Sequence, residues 1–159
     1  MKNSSKGWSI IILLAFIAVM VVNTLAITLP INGMDTGKIS DLYPNLFVPA
    51  GFTFSIWSVI YLLLLSYSVY SLKLAFSKNK STAAIAAQEA ITPLFFISCL
   101  LNISWIMLWH YLQIGLSVVV MLLFLLTLMA IFLRLRPFVR TMTRMDICLI
   151  ALPFSVYFG

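Results

Sequence analysis

Long runs without a charged side chain decide what this chain can fold into. The clearest run covers residues 91–111, which contain no Asp, Glu, Lys or Arg. About 20 apolar residues suffice to cross the hydrocarbon core of a bilayer. Only 9% of the chain is charged and 63% is hydrophobic, which is too little polarity to cover the surface of a soluble domain. The chain is therefore predicted to be an integral membrane protein.

Five such runs predict an all-α, polytopic membrane helix bundle, because a single span must satisfy its backbone hydrogen bonds within one helix. The bundle is expected to form one transmembrane domain over residues 1–159. The fifth run is short, since at 1.5 Å per residue it reaches roughly 20 Å against a hydrocarbon core of about 30 Å. We expect its helix to be incomplete and the chain to be truncated or a fragment. The predicted spans are 8–29, 51–72, 91–111, 114–135 and 146–159.

The basic residues are distributed unevenly between the connections. Nine of the ten Lys and Arg residues lie before the first span, in loop 73–81, or in and beside loop 136–145, whereas Lys38 is alone in loop 30–50. By the positive-inside rule, the N-terminus and the two basic loops face the cytoplasm and loop 30–50 faces outward. A bacterial cytoplasmic membrane is the expected location. Lipid head groups account for the net charge of +6, so no nucleic-acid partner is expected.

Groups that usually perform chemistry are missing from the middle of the spans. No Asp, Glu, Lys or Arg lies there, although ion-coupled pumps and proton relays usually need one. Cys99 and Cys148 lie in separate runs and are interpreted as small core residues. His110 is interpreted as an interfacial aromatic-belt residue rather than a metal ligand, and Asp146 as the cap of the fifth helix. We therefore expect no enzyme activity, no metal site and no cofactor.

An amide inside the third run is the first indication of a binding site. Asn102 has no bulk water to bond at that depth, so it needs a partner in a neighbouring helix or in a ligand. Trp105 and Trp109 share its helical face, because residues three and four apart lie one above the other. This stripe favours the wall of a ligand pocket. The plainer interpretation is an interhelical hydrogen bond that only specifies packing, and Asn23 in the first run is interpreted in that way.

The second run carries an aromatic face of its own. Phe54, Trp57 and Tyr61 lie on one side of the predicted helix, with Trp57 about six residues into the span and deeper than an aromatic belt usually sits. A pocket wall and an interfacial anchor are equally good interpretations of this segment. Further along, residues 65–73 match the loose pattern for sterol contact, with Tyr70 at its centre, and this match has little weight.

In combination, these segments resemble the TspO/MBR family of tryptophan-rich sensory proteins and translocator proteins, over most of the chain. The second helix of that family has a Pro-rich entry followed by an aromatic residue, a Trp and a Leu/Ile-Tyr pair. The third helix carries Leu-Asn-x-x-Trp followed by large aromatic residues, and the fifth carries a Leu-x-Pro-Tyr-like element. The corresponding residues here are Tyr43-Pro44, Pro49, Phe54, Trp57 and Ile60-Tyr61, then Leu101-Asn102-Ile103-Ser104-Trp105 and Trp109, then Leu152-Pro153-Phe154.

Two departures from the family pattern accompany the resemblance. Trp109-His110 replaces the usual pair of Phe residues, and the fifth run ends before the Trp that closes the family's pocket. The resemblance implies five helices, with the first loop folded over one mouth of a bundle that binds porphyrins and other hydrophobic small molecules. It also implies the pocket-wall residues, which in order of preference are Trp57 and Asn102, then Trp105, Phe54, Tyr61 and Trp109.

The expected function is therefore the binding of a planar hydrophobic small molecule, such as a tetrapyrrole, as a sensor or carrier. A porphyrin or haem-related compound would be its ligand and not a cofactor. The main alternative is a fragment of a larger multi-span permease, in which the polar and Trp residues only pack helices. A porphyrin-modifying enzyme is the third alternative, disfavoured because no titratable group lies within the spans. The expected partners are membrane lipids and the ligand, and the sequence leaves a homo-oligomer open.

Overall fold

The structure, a computed structural model, describes residues 2–29, 31–34, 36–42, 55–77 and 81–159. Within these ranges the chain is helical almost throughout and contains no strand, which confirms the predicted all-α membrane bundle. In chain order the elements are α1 (Lys2–Thr28), a 3-10 turn (Ile31–Gly33), α2 (Thr36–Asp41), α3 (Ile56–Phe76), α4 (Thr82–His110), α5 (Ile114–Val139), α6 (Arg144–Asp146), a π-helical segment (Ile147–Ala151) and α7 (Leu152–Phe158).

Four of the described helices are long and apolar enough to cross a membrane. They correspond to α1 with the following turn, α3, α4 and α5. The fifth predicted span is also helical, but α6, the π-helical segment and α7 together extend only about 22 Å, less than the roughly 30 Å of a hydrocarbon core. The described part of the chain is therefore a bundle of four spanning helices with a shorter fifth helical segment.

Side-chain caps mark where two of the helices begin. Ser81 precedes α4, and its hydroxyl accepts a hydrogen bond from the backbone N–H of Ala84. Thr143 and Asp146 form a reciprocal capping box that starts the fifth segment, which confirms the predicted capping role of Asp146. The helix α3 begins at Ile56. Residues 51–54, which were predicted to start the same span, lie outside the described residues.

The central element of the bundle is α4, which packs against α1 on one side and α5 on the other. Its buried side chains recur every three or four residues, as expected for one face of a helix. In a membrane such a face is held by close packing and interhelical hydrogen bonds, because lipid is as apolar as the core. The buried stripe consists of Ala84, Ala87, Gln88, Ile91, Thr92, Phe95, Ser98, Cys99, Asn102, Ile106 and His110.

The two cysteines differ in their surroundings. Cys99 is buried in this stripe, as predicted, whereas Cys148 is exposed, so its interpretation as a core residue was wrong. Cys148 lies in the π-helical segment, where the backbone N–H of Leu152 bonds to the carbonyl of Ile147, five residues back. The wider turn precedes Pro153, which has no N–H to donate to Leu149.

The bundle has two chemically different ends. At one end, which we call the basic end, the Lys6 ammonium lies 4.9 Å from the centroid of the Phe76 ring, and Arg134 Nη1 donates to the carbonyl of Ala90. At the other end, which we call the loop end, Asn32 Nδ2 donates to the carbonyl of His110 over 3.1 Å. The described part of the first loop therefore packs against the end of α4 that is opposite the basic end.

Candidate functional site

Polar and aromatic side chains in the bundle core are arranged in three layers along α4. Gln88, Phe95 and Asn102 are buried and seven residues apart, so neighbouring layers are separated by about 10 Å along the helix. The layer nearest the basic end is small and polar, the middle layer is aromatic, and the layer nearest the loop end mixes amides with tyrosines. The candidate site is the third layer. Its composition differs from that of the other two layers.

The first layer, here called the Ser–Gln layer, joins three helices and consists of Ser9, Ser71 and Gln88. All three side chains are buried. Gln88 Nε2 donates to the Ser9 hydroxyl over 2.9 Å and to the Ser71 hydroxyl over 2.5 Å. The Ser71 hydroxyl also lies 3.3 Å from that of Ser9, to which it donates. Because small side chains and one amide bond each other here, this layer binds α1, α3 and α4 together and leaves little polarity for a ligand.

The middle, aromatic layer consists of Phe16, Tyr67, Phe95 and Phe154, each of which is at most 1% exposed. The ring centroids of Tyr67 and Phe154 are 4.8 Å apart, and those of Phe95 and Phe154 are 5.3 Å apart, both with edge-to-face geometry. Such pairs add to the stability that burial provides. The Tyr67 hydroxyl is buried and has no hydrogen-bond partner among the described residues. This layer separates the two polar ones.

The third layer, here called the Asn–Tyr layer, brings together Asn23, Tyr61, Asn102 and Tyr157 from four different helical elements. Asn23 Nδ2 donates to Asn102 Oδ1 over 2.8 Å and to the carbonyl of Val19 over 2.9 Å. The hydroxyls of Tyr61 and Tyr157 lie near the side chain of Asn102, but neither makes a hydrogen bond of ordinary geometry with it. Asn102 is only 2% exposed, so it is the buried centre of this layer. One amide is therefore bonded to an asparagine and has two phenols beside it.

Trp57 extends this layer toward the loop end. Its ring centroid lies 6.0 Å from that of Tyr61, and the indole is half-buried against the core. The structure places Trp57 in the first turn of α3 as described, and residues 51–54 before it lie outside the described residues, so its depth in the span stays a prediction. Its contact with Tyr61 links it to the Asn–Tyr layer. Phe54, the third member of the predicted aromatic face, lies outside the described residues.

Trp105 and Trp109 occupy the flank of α4 instead of its buried stripe. Both are half-buried, and neither belongs to the side chains that pack against the core cluster of the described residues. The indole Nε1 of Trp109 is nevertheless buried and has no hydrogen-bond partner among the described residues. An unpaired buried donor costs about 1–3 kcal/mol, so this N–H favours any molecule that offers it an acceptor. Of the predicted wall residues, Trp57, Tyr61 and Asn102 are thus brought together, and the other two tryptophans stand beside them.

His110 has a different environment from the one predicted. It is fully buried, so its interpretation as an interfacial belt residue was wrong. Its Nδ1 donates to the carbonyl of Ile106 over 2.9 Å, and its Nε2 lies 3.3 Å from the Thr36 hydroxyl. That hydroxyl lies 3.2 Å from the carbonyl of Ala26, to which it donates. Since Thr36 begins α2, the imidazole fastens the described part of the first loop to the ends of α1 and α4.

Two members of the Asn–Tyr layer were not recognised as site residues from the sequence. Asn23 was interpreted as a packing residue, and Tyr157 was not singled out at all. A signal was present for both, because each places a polar group within an apolar run, where it needs a partner. The sequence does not specify how α1 and α7 are rotated about their axes. That rotation places both side chains near Asn102.

Chemically, the Asn–Tyr layer consists of uncharged polar groups beside aromatic rings. Its polar groups are amides, phenols and an indole N–H, which donate and accept hydrogen bonds without carrying charge. Among the described residues there is no group of three or more His, Cys, Asp or Glu side chains that could hold a metal ion. Flat aromatic rings beside a few fixed polar groups are typical of sites for apolar small molecules.

Comparison with known proteins gives one family. The model of the family described as TSPO-like protein matches residues 9–159, which is nearly the whole chain. Neither the curated proteins nor the solved structures provide a match. The matched range includes every residue of the three layers.

Proposed function

Because the chain belongs to the TSPO-like family and is an integral membrane protein, we propose that it binds a planar hydrophobic small molecule, of the tetrapyrrole class, in the Asn–Tyr layer. Binding serves sensing or carriage of the ligand, without chemical conversion and without a cofactor. The membrane is the bacterial cytoplasmic membrane, with the basic end of the bundle in the cytoplasm. This orientation is supported by the positive-inside rule, since the sequence has only Lys38 in loop 30–50 and the other nine basic residues before the first span, in loop 73–81, or in and beside loop 136–145.

The observation that carries this proposal is the group of polar side chains around the buried Asn102 amide. Among the described residues Asn102 makes one side-chain hydrogen bond of ordinary geometry, with Asn23, and the hydroxyls of Tyr61 and Tyr157 lie near it without such a bond. Because each phenol can both donate and accept, hydrogen-bonding capacity is left unused here. A ligand with carbonyl or carboxylate oxygens would use that capacity.

Aromatic surface and an unpaired donor support the same proposal. The Trp57 and Tyr61 rings lie side by side at the loop end of the layer, where they would stack against a flat ligand. The buried Nε1 of Trp109 lies two helical turns from Asn102, toward the loop end, and would donate to a second polar group of the same ligand. The indoles would supply affinity and the amide would fix the orientation of the ligand.

Tryptophan fluorescence tests the proposal directly. The purified protein is titrated with protoporphyrin IX, and quenching should saturate as one site fills. Trp57→Ala should weaken binding about tenfold or more, because it removes a large stacking surface. The matched control is Trp8→Phe, since Trp8 is exposed and contacts Phe96 far from the loop end. Unchanged affinity in a folded Trp57→Ala protein would overturn the assignment of the pocket.

One observation favours a second function, in which this chain is a unit of a larger permease and the polar residues only pack helices. The Asn23–Asn102 hydrogen bond of 2.8 Å is what that alternative requires. The two functions differ in what a ligand does to stability. A ligand that binds only the folded protein raises its unfolding temperature, whereas packing alone makes the unfolding temperature independent of added porphyrin.

A further inference from the structure

A groove of about 430 Å³ lies on the outside of the bundle, away from the three layers. One wall is α3 and the other is the π-helical segment, and the groove is open toward lipid. It extends from Leu62 to Lys73, a distance of about 16 Å along α3, which is close to half of the roughly 30 Å hydrocarbon core. Its depth therefore matches one leaflet of a bilayer. The apolar lining side chains are Leu62, Leu65, Val69 and Leu149.

Two of the three polar side chains that line the groove are already occupied. The Ser66 hydroxyl donates to the carbonyl of Leu63 over 2.6 Å, within its own helix. The Tyr70 hydroxyl donates to Asp146 Oδ1 over 2.7 Å, which turns its polar end into the bundle and leaves the ring as part of the wall. The body of the groove is therefore apolar in practice and suits a hydrocarbon chain.

The third polar side chain is Lys73, which sits at the membrane-interface end of the groove. It lies one turn before the end of α3, is exposed, and has no ion pair among the described residues. A Lys side chain in this position extends its ammonium toward the head-group region. The groove thus combines an apolar channel of one-leaflet length with a single cation at its mouth.

We propose that this groove binds one anionic phospholipid, with an acyl chain along α3 and the phosphate of the head group at Lys73. The charge selects an anionic lipid, because each Lys or Arg near a membrane surface favours anionic lipid. The residues 65–73 that match the loose sterol pattern lie along this groove. A sterol is disfavoured as the occupant, since its head is an uncharged hydroxyl that leaves the ammonium unpaired. The site shares no residue with the Asn–Tyr layer and holds independently of the proposed ligand.

Native mass spectrometry of the full chain in detergent tests this site. Phosphatidylglycerol and phosphatidylcholine with identical acyl chains are added in turn, and the lipid-bound fraction is measured. The unmodified protein should retain the anionic lipid about fivefold better, the factor that corresponds to about 1 kcal/mol per cation. Lys73→Gln should abolish this preference and Lys73→Arg should keep it. Arg140→Gln is the matched control, because Arg140 is exposed and lies off the groove.

A second pair of variants tests the apolar channel. Val69→Trp fills the groove from an exposed position and should reduce retention of both lipids, whereas Val118→Trp on α5 has a similar exposure and should not. Persistence of the anionic preference in Lys73→Gln, or an equal loss in Arg140→Gln, overturns the assignment of the head group. Undiminished retention in Val69→Trp overturns the assignment of the chain. Equal displacement of phosphatidylglycerol by cholesterol in the unmodified and Lys73→Gln proteins would identify a sterol site instead.

Discussion

The Ser–Gln layer and the Asn–Tyr layer solve the same problem in different ways. Each places uncharged polar groups inside a membrane bundle, and each connects α1, α3 and α4. In the first, two hydroxyls and one amide bond each other directly and so hold the three helices together. In the second, large tyrosines surround the Asn102 amide, and the buried Trp109 Nε1 near it has no partner among the described residues. We interpret the first layer as a fastening between helices, and we propose that the second, with its large aromatic rings, is a surface for a ligand.

The backbone conformation also differs between the basic end and the loop end. The described residues outside glycine with a positive φ are Asn32 at 54° and Leu112 at 55°, and both lie at the loop end. A left-handed conformation costs roughly 1–2 kcal/mol for a residue with a side chain. Strain of this kind concentrates at functional sites, so it accompanies the layer that we propose to bind a ligand and not the one that fastens helices.

The largest expected effect on stability comes from removing a ring from the aromatic layer, which separates the two polar layers. Phe154→Ala removes a ring that contacts both Tyr67 and Phe95, and it should lower the free energy of unfolding by about 3–5 kcal/mol. Thermal unfolding in detergent measures this loss. Leu152→Ala, at an exposed position two residues away, is the control and should cost far less. Equal losses in the two variants would show that Phe154 does not hold the layers apart.

Removing the amide of the Ser–Gln layer should change stability but not binding. Gln88→Leu leaves the Ser9 and Ser71 hydroxyls without their shared donor, at a cost of about 1–2 kcal/mol of unfolding free energy. The affinity of the folded protein for protoporphyrin IX should stay within about twofold. Gln113→Leu makes the same change at an exposed glutamine and should affect neither quantity. A loss of affinity in Gln88→Leu would mean that the two layers are coupled.

The reverse pattern is expected for the Asn–Tyr layer. Asn102→Leu should weaken porphyrin binding several-fold, equivalent to about 1 kcal/mol for one orienting hydrogen bond. Its effect on unfolding should be smaller, about 0.6 kcal/mol, which is the average for interhelical hydrogen bonds in a membrane protein. Asn23→Leu removes the interhelical bond but keeps the Asn102 amide, so it should spare more of the affinity. If the two variants lose the same affinity, the Asn23–Asn102 hydrogen bond affects binding only through helix packing.

The smallest expected effect concerns the strained turn at the loop end. Leu112→Gly should raise the unfolding free energy by about 0.5 kcal/mol, because relief of the left-handed strain slightly exceeds the entropy that glycine loses on folding. Leu116→Gly, at an exposed position inside α5, should have the opposite sign and cost about 1 kcal/mol. Thermal unfolding of the two proteins side by side measures the difference. A destabilised Leu112→Gly protein would contradict the idea that strain is stored at this end.

Several features of the site could be predicted from the sequence, and others could not. Asn102 was recognisable because an amide stands out in a charge-free run, and the structure places it at the centre of a polar layer. Whether its predicted partners form a pocket stays a prediction. The depth of Trp57 in its span stays a prediction, because residues 51–54 before it lie outside the described residues. His110 was misjudged because an imidazole at the end of a span looks interfacial until a loop covers it.

The sequence by itself determined the membrane environment, the helical secondary structure and the segregation of charge between the connections. These properties follow from composition and short-range order, since about twenty apolar residues form a helix in lipid whatever surrounds them. Only the tertiary structure decided which polar groups meet. Asn23 and Asn102 are 79 residues apart in the chain, and Tyr70 and Asp146 are 76 apart. Their contacts depend on the rotation and axial register of separate helices, because a hydrogen bond requires about 3 Å and a favourable angle and tolerates little error in either.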